Sequence, residues 1–581
     1  MQKFLYHILG IILRGLIRFI GRIIYRIQVR EIGHIPSSGG ALVVANHTSY
    51  MDFVLIISSL PRPVSFVMNA DVYNKPSLKW IFKGMHFIPI APREGKNDFE
   101  SFNKAVTEQI DAGRIVVIFA EGTVSRTGQI LEFKKGVEHL ATRISAPVIP
   151  IHFHNVQGTP FTFRAGKKKM EQLSFGNIRK EVLVAIGAPM NGRITAFGLR
   201  QKIKELEVSN FDLHLSRMKS LDLILKDQIG HLNEGQWNIT DQTLKYSELH
   251  ARLQSMDGVL KDLLKDDLSV AMLLPKSIDS MVAQLWVLTH KKVIVPIDSS
   301  FTSEEQFYVM NRSGARTILT TRDIAFTRYA PTADRIVYIE DVFQSMDTGL
   351  PVHVICKHIL SVQRGVKSLF APATKLDEPV VILFERKTKE EMRCVSLTHR
   401  NLLAVIHGLR QIYYFEKGSH WMSNLPLHNS FGFVLELLMP VLHDISLRVV
   451  SQDVGEEEFM GELEHYKPSV VIATPSQLEL IAGLSQKRNI PFLTHVFTAG
   501  LHPENHQVDT LTQRGIDVLV CAGMNETSSV FAVNLHNYRG KDIAGKWMEQ
   551  ENRNEDSIGK PLPGVALRIC DAGGQELVVG E

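Results

Sequence analysis

A histidine and an aspartate stand five residues apart in Asn46-His47-Thr48-Ser49-Tyr50-Met51-Asp52, directly after the apolar run Ala41-Leu42-Val43-Val44-Ala45. An imidazole beside a carboxylate pairs a general base with the group that fixes its tautomer and stabilises its charged form. A strand that ends in a polar turn is rigid on one side and accessible on the other, which suits chemistry. On a straight helix five residues advance about 500°, which leaves the two side chains roughly 140° apart. They meet only if the segment bends, with His47 in the turn and Asp52 in a following helix capped by Thr48 or Ser49. Taken alone, the pair reads more readily as a solvated histidine and a helix-capping aspartate.

The order of the segments behind it is more specific. Gly84-Met85-His86-Phe87-Ile88-Pro89 comes next, with Arg93 close by. Phe119-Ala120-Glu121-Gly122-Thr123-Val124-Ser125-Arg126 follows the apolar run 115–118, and Phe133-Lys134-Lys135-Gly136 and Val148-Ile149-Pro150-Ile151 come after it. In this order residues 31–200 resemble the glycerolipid acyltransferases, the family of lysophosphatidic acid and other lysophospholipid acyltransferases. The resemblance implies acyl transfer from a thioester, on CoA or acyl carrier protein, to a lysophospholipid hydroxyl, with His47 as base and Asp52 as its partner. It assigns Glu121, Gly122 and Thr123 to the acceptor site. Arg93 and Arg126 are candidates for the acceptor phosphate, because a guanidinium grips phosphate oxygens bidentately. No cysteine occurs in residues 1–200, so a thiol acyl-enzyme has no nucleophile there. No cofactor is expected for this step.

The elements that position these residues alternate. Runs 41–45, 63–67, 87–91, 115–120, 148–152 and 182–186 read as strands, and 77–83 and 97–112 as helices, which argues for an α/β layered domain. Lys167-Lys168-Lys169 reads as a solvated loop or as a contact to phosphates or an acidic carrier. Ahead of the domain, residues 1–30 carry Arg14, Arg18, Arg22, Arg26 and Arg30 at steps of four among Leu16, Ile17, Phe19, Ile20, Ile23 and Ile24. The uncharged run 4–13 is too short to span a bilayer. The pattern suits one amphipathic helix in the interface of an anionic membrane, which places the protein at the cytoplasmic face of a cell membrane.

With 581 residues the chain needs more than one core. Its composition is globular, 44% hydrophobic and 22% charged, and a net charge of +4 argues against a nucleic-acid partner. Cys356, Cys394, Cys521 and Cys570 have neither metal-ligand nor disulfide spacing, so a reducing compartment is expected and no metal site. Residues 201–235 are polar and helix-prone and read as a helical linker.

A second module begins near Gln236. Val270-Ala271-Met272-Leu273-Leu274-Pro275, Thr474-Pro475-Ser476, Gly523-Met524-Asn525-Glu526-Thr527 and Gly559-Lys560-Pro561-Leu562-Pro563-Gly564 resemble the large subdomain of the adenylate-forming superfamily. The whole chain is thus similar to the bacterial bifunctional acyl-carrier-protein synthetase/2-acylglycerophosphoethanolamine acyltransferases. The resemblance makes Thr474, Gly523 and Glu526 the remnant of a nucleotide site, and ATP and Mg²⁺ the cofactors of that module if it is active. Four departures argue against activity. The phosphate-loop position, 384–394, has no glycine to let backbone amides approach a phosphate, and it holds three glutamates. Asn429 replaces a usual histidine, Asn525 a usual threonine, and the sequence stops at Gly580-Glu581, before the small C-terminal subdomain. The expectation is a degenerate, truncated module over 236–581. Two alternatives stay open: a working fatty-acid ligase, or a non-catalytic module that binds an acyl carrier or another partner.

Overall fold

The computed structural model describes residues 2–77, 79–90, 95–163, 178–239, 242–327, 333–348, 354–356, 375–388, 391–450, 455–500, 503–541, 545 and 547–577. Arg93 and the lysine run 167–169 lie outside the described residues.

The N-terminal domain is built on one sheet of strands β1 (Tyr25–Arg30), β2 (Ala41–Ala45), β3 (Val64–Asn69), β4 (Ile88–Ile90), β5 (Ile115–Ile118), β6 (Val148–His154) and β7 (Lys180–Ile186), in the order β1-β7-β6-β2-β5-β3-β4. The run β6-β2-β5-β3-β4 is parallel, and β7 pairs antiparallel with β6. A strand in the middle of a parallel sheet is covered on both faces, so it reads as an unbroken apolar run. All five residues of β2 are fully buried for that reason.

Helices α1 (Gln2–Ile24), α2 (Asp52–Ser59), α3 (Lys79–Gly84), α4 (Gly95–Asp111) and α5 (Gly136–Arg143) cover this sheet. The apolar layer on one face joins Val54, Leu55 and Ile56 of α2 to Val43, Val117 and Ile149. The other face joins Val106 and Leu140 to Leu42, Val44 and Val116.

The basic helix ends earlier than the arginine spacing implies. α1 stops at Ile24, and 25–30 form β1, paired in parallel with β7 from Tyr25↔Lys180 to Arg30↔Ala185. Tyr25, Ile27 and Val29 alternate with polar residues, and that period of two prevails over the four-residue arginine step once β7 offers a partner. α1 packs closely on α2: a Cβ at Gly21 would collide with the Ser58 hydroxyl. Arg18 does not face outward. Its guanidinium donates to the carbonyls of Ile57 (2.9 Å) and Leu60 (2.8 Å), at the end of α2 where carbonyls lack helical partners. The outward face is apolar instead, with Ile12, Leu16, Phe19 and Ile23 exposed. No described helix is long and apolar enough to cross a membrane.

The stretch 201–235 is not a free tether. α6 (Ala196–Ser216) and α7 (Leu221–Ile229) carry it, and α6 lies against β6 and β7. Lys204 and Glu207 on α6 form a buried pair at 2.9 Å.

The second module holds two more mixed sheets among the described residues. One runs Val354–Cys356, Arg335–Tyr338, Thr317–Thr320, Ser269–Leu273, Val293–Pro296, then β8 (Pro379–Arg386) and β9 (Met392–Thr398). The other runs from Lys560–Pro561 through Asp517–Met524, Val470–Ala473 and His420–Ser423 to Gln242–Lys245. Helix α8 (His399–Ile412) leaves β9, and a separate antiparallel hairpin joins β10 (Tyr538–Lys541) to β11 (Trp547–Gln550). The largest core of the molecule lies here, around Trp237, Trp286 and Trp421, and it takes in Phe211 and Leu215 of α6.

Candidate active site

His47 leaves the carboxyl end of β2, and Glu121 lies just beyond the carboxyl end of the adjacent parallel strand β5. The ends of parallel strands are where open α/β sheets place their ligands. Asn46 fixes the turn to β6 by exchanging two hydrogen bonds with Phe153: its Nδ2 donates to the Phe153 carbonyl at 3.2 Å, and its Oδ1 accepts from the Phe153 N–H at 2.8 Å.

The bend between His47 and Asp52 is present. His47 Nδ1 lies 2.9 Å from Asp52 Oδ2. The capping differs from expectation. Neither Thr48 nor Ser49 caps α2. The Asp52 carboxylate caps the turn instead, because Oδ2 also accepts the N–H groups of Thr48 (2.8 Å) and Ser49 (2.9 Å). Asp52 is fully buried, whereas the His47 side chain keeps 18% of its surface open. One ring face is covered by Phe119, stacked at 4.2 Å and 15°. A buried carboxylate on Nδ1 leaves Nε2 as the position that can exchange a proton with an incoming group.

Glu121 turns inward. It is 2% exposed, and its two oxygens accept the N–H of His47 (2.7 Å) and of Leu131 (2.9 Å). It is therefore a strut between the histidine turn and the loop 121–131, and not a contact for an acceptor. Burial pushes its carboxyl up to about 8, opposed by the same two backbone donors. The Ser125 N–H donates to the His47 carbonyl at 2.7 Å, so both backbone groups of His47 are held by this loop. Gly122, at φ +73°, takes the left-handed conformation that turns the chain out of β5.

Thr123 and Arg126 point toward the second module. The Thr123 hydroxyl lies 4.0 Å from Met548 Sδ on β11. The Arg126 guanidinium sits 4.1 Å over the Phe163 ring and donates to the Lys541 carbonyl on β10 at 3.0 Å. Its backbone N–H donates to Gln550 Oε1 at 3.1 Å. Gln129 donates to the carbonyls of Lys560 (3.2 Å) and Pro561 (3.0 Å). The partners in the second module lie more than 400 residues away in sequence, and no local pattern announces them.

Where the resemblance puts a nucleotide site, β8 and β9 pair through Glu385↔Arg393 to Arg386↔Met392, so both described flanks of 384–394 lie in an antiparallel ladder. Arg393 donates to Glu526 Oε1 at 2.6 Å, and Asn525 donates to Glu385 Oε2 at 2.5 Å. Thr474 caps the helix Pro475–Lys487 in a capping box with Gln477. At Gly523 a Cβ would collide with the Ser529 carbonyl, which marks a close strand crossing. Asn429 caps its own turn by accepting from the Gly432 N–H at 2.8 Å.

Residues 233–581 match the AMP-binding enzyme family, and residues 26–154 match the acyltransferase family. The chain belongs to the AMP-binding enzymes, with an acyltransferase domain in front. The AMP-binding module is 20% identical over 337 residues to tyrocidine synthase 3 of Brevibacillus parabrevis, covering 57% of this chain and 5% of that one. The acyltransferase domain is 27% identical over 169 residues to the chloroplastic 1-acyl-sn-glycerol-3-phosphate acyltransferase of Arabidopsis thaliana, covering 29% of this chain and 44% of the relative. The chain spans about half the length of the curated acyltransferases it matches. Among solved structures, the N-terminal subdomain of NpsA from Klebsiella oxytoca superposes on 63% of this chain and 85% of its own, at a TM-score of 0.49 and 16% identity.

Proposed function

We propose that the acyltransferase domain moves a fatty acyl group from a thioester of CoA or acyl carrier protein to the free hydroxyl of a lysophospholipid. The observation that carries this reading is the His47–Asp52 pair, with its aspartate buried and its imidazole partly open. His47 Nε2 takes the hydroxyl proton while Asp52 holds Nδ1–H and stabilises the imidazolium. The alkoxide attacks the thioester carbonyl, and the tetrahedral intermediate collapses. The thiolate leaves and receives the proton from His47. The likeness to a 1-acyl-sn-glycerol-3-phosphate acyltransferase supports a lysophospholipid acceptor. Arg126 and Arg93 are the groups we assign to its phosphate.

The exposed face of Ile12, Leu16, Phe19 and Ile23 supports a peripheral seat on a membrane, at the cytoplasmic side, with the apolar side chains in the lipid interface. The anchor is this apolar stripe more than the arginines, since Arg18 is engaged by α2.

The residues at the remnant nucleotide site do not fit ATP and Mg²⁺. Residues 384–386 and 392–394 are committed to a strand ladder, and Glu526 is already paired with Arg393. We read the second module as a frame for the first, through β10 and β11, and no step is assigned to a nucleotide.

The test is acyl transfer to a lysophospholipid panel by membranes carrying the full chain or His47→Ala. One arm receives preformed acyl thioester, the other free fatty acid with ATP and Mg²⁺. Product only in the thioester arm, lost in the variant, is expected. Product in both arms would overturn the reading of the second module. Thioester-dependent product that survives in His47→Ala would overturn the reading of the first.

A further inference from the structure

Three histidines from separate parts of the chain meet at the seam between the modules. His154 ends β6, His214 lies in the last turn of α6, and His407 lies in α8. Each brings a ring nitrogen to within 4.8 Å of the others. The rings of His214 and His407 stack at 4.7 Å, and that of His154 lies 5.2 Å from His214 and 6.1 Å from His407.

Two of these rings are unsatisfied. His154 is 2% exposed, and Nε2 of both His154 and His407 is buried without a hydrogen-bond partner. A buried polar atom in a native fold needs a partner, and each orphan calls for an explanation. Burial holds His154 and His407 well below the ordinary imidazole range, and His214 is lowered for the same reason. A ring nitrogen with no hydrogen-bond partner offers the lone pair that a metal takes up.

We propose that His154, His214 and His407 form a binding site for one divalent transition metal ion of the zinc type. Three imidazoles are a recognised ligand set for zinc, with a fourth position left to water. Bonds of about 2.0–2.1 Å to a tetrahedral ion set the nitrogens about 3.4 Å apart, so the rings close inward by about 1 Å on binding. His154 also borders a small polar cavity lined by Asn46, Thr48, Glu207 and Gln411. Lys180, Arg217 and Arg410 oppose a cation there and Glu181 favours one, which makes soft imidazole donors, not bulk charge, the source of affinity. The ion ties the acyltransferase sheet, the connecting helix and the second module at one point. This site is independent of the acyl-transfer reading.

The test uses the full chain, freed of metal and titrated with Co²⁺ and then Zn²⁺. One equivalent of Co²⁺ with imidazole-type visible absorption and no thiolate band is expected, displaced by Zn²⁺, with Zn²⁺ raising the melting temperature. His214→Gln and His407→Gln should weaken binding by more than the ~10–100-fold that loss of a supporting group alone costs. Both should melt near the metal-free wild type and no longer respond to Zn²⁺, while exposed His250→Gln behaves as wild type. His214 is partly exposed, so its variant keeps the test readable if His407→Gln fails to fold. Folded wild type that takes up no stoichiometric ion, or binding that persists in both variants, overturns the proposal.

Discussion

The Oδ2 atom of Asp52 accepts from His47 Nδ1 at 2.9 Å and from the backbone of Thr48 and Ser49 at 2.8 and 2.9 Å. One oxygen therefore orients the base and shapes the turn that carries it.

Substituting either partner separates these duties. His47→Ala removes the base and should lower acyl transfer from a preformed thioester by about 10²–10⁴-fold, with the melting temperature little changed. Asp52→Asn should lower the rate, because the amide oxygen still accepts from the three donors that meet at Oδ2 but carries no charge to stabilise the imidazolium, whereas Asp52→Ala should lower both the rate and the melting temperature, because those donors lose their acceptor. Rate and melting curve measured on the same samples check both.

Glu121 links stability to pH. Its folded carboxyl stands near 8 against an ordinary 4.5, so the fold holds a proton there that the unfolded chain releases. The stabilising contribution is complete below 4.5 and is lost as pH rises through about 8. Denaturant midpoints taken between those limits should fall with pH in the wild type. Glu121→Gln should flatten this slope while lowering the midpoint overall, because its amide nitrogen meets the N–H of His47 or Leu131.

Arg126 is assigned to the acceptor phosphate although it touches the second module. A lost charged hydrogen bond costs about 1.5–3 kcal/mol, roughly 10–100-fold in affinity. Arg126→Ala should raise the KM for lysophospholipid by that factor and leave the thioester KM unchanged. Gln550→Ala, which removes the partner of the Arg126 backbone and a hydrogen bond to Asn552 but leaves the guanidinium in place, should leave the acceptor KM near wild type. Equal effects in the two variants would make Arg126 a purely structural seam residue.

The apolar stripe of α1 should govern membrane binding. Each large side chain contributes about 1.5–3 kcal/mol when moved from water into an apolar phase. Leu16→Glu with Phe19→Glu should abolish flotation with anionic vesicles, whereas exposed Arg22→Gln should shift it only modestly. An arginine-dominated anchor would give the reverse order.

The Arg393–Glu526 pair predicts that fatty acid elicits no pyrophosphate release from ATP, measured in a coupled assay with the full chain. Pyrophosphate above background would show that this ion pair opens to admit the nucleotide.

Much of the first domain was legible in the sequence, because strands covered on both faces write themselves as apolar runs. β2 lies where its run predicts, and β3 to β7 within a few residues. The His47–Asp52 meeting was legible from a spacing that works only with a bend. β1 was not, since Tyr25–Arg30 carries both the arginine step and strand alternation, and only the partner strand decides between them. The inward turn of Arg18 and Glu121 was also out of reach. An arginine step does not say which side of a helix packs, and a motif glutamate does not say whether it faces substrate or strut. The three-histidine cluster had no motif to find, because His154 and His407 come from different modules.

The contacts of Arg126 and Gln129 with 541, 550, 560 and 561 give the acyltransferase loop its far partners in another domain. A loop so braced keeps its shape only while that domain is folded, so local unfolding of the second module would be felt at the histidine turn. The second module would then be under selection through its neighbour's reaction as well as through any of its own. Substitutions in β10 and β11, remote from any catalytic motif, would be read out as lost acyl transfer.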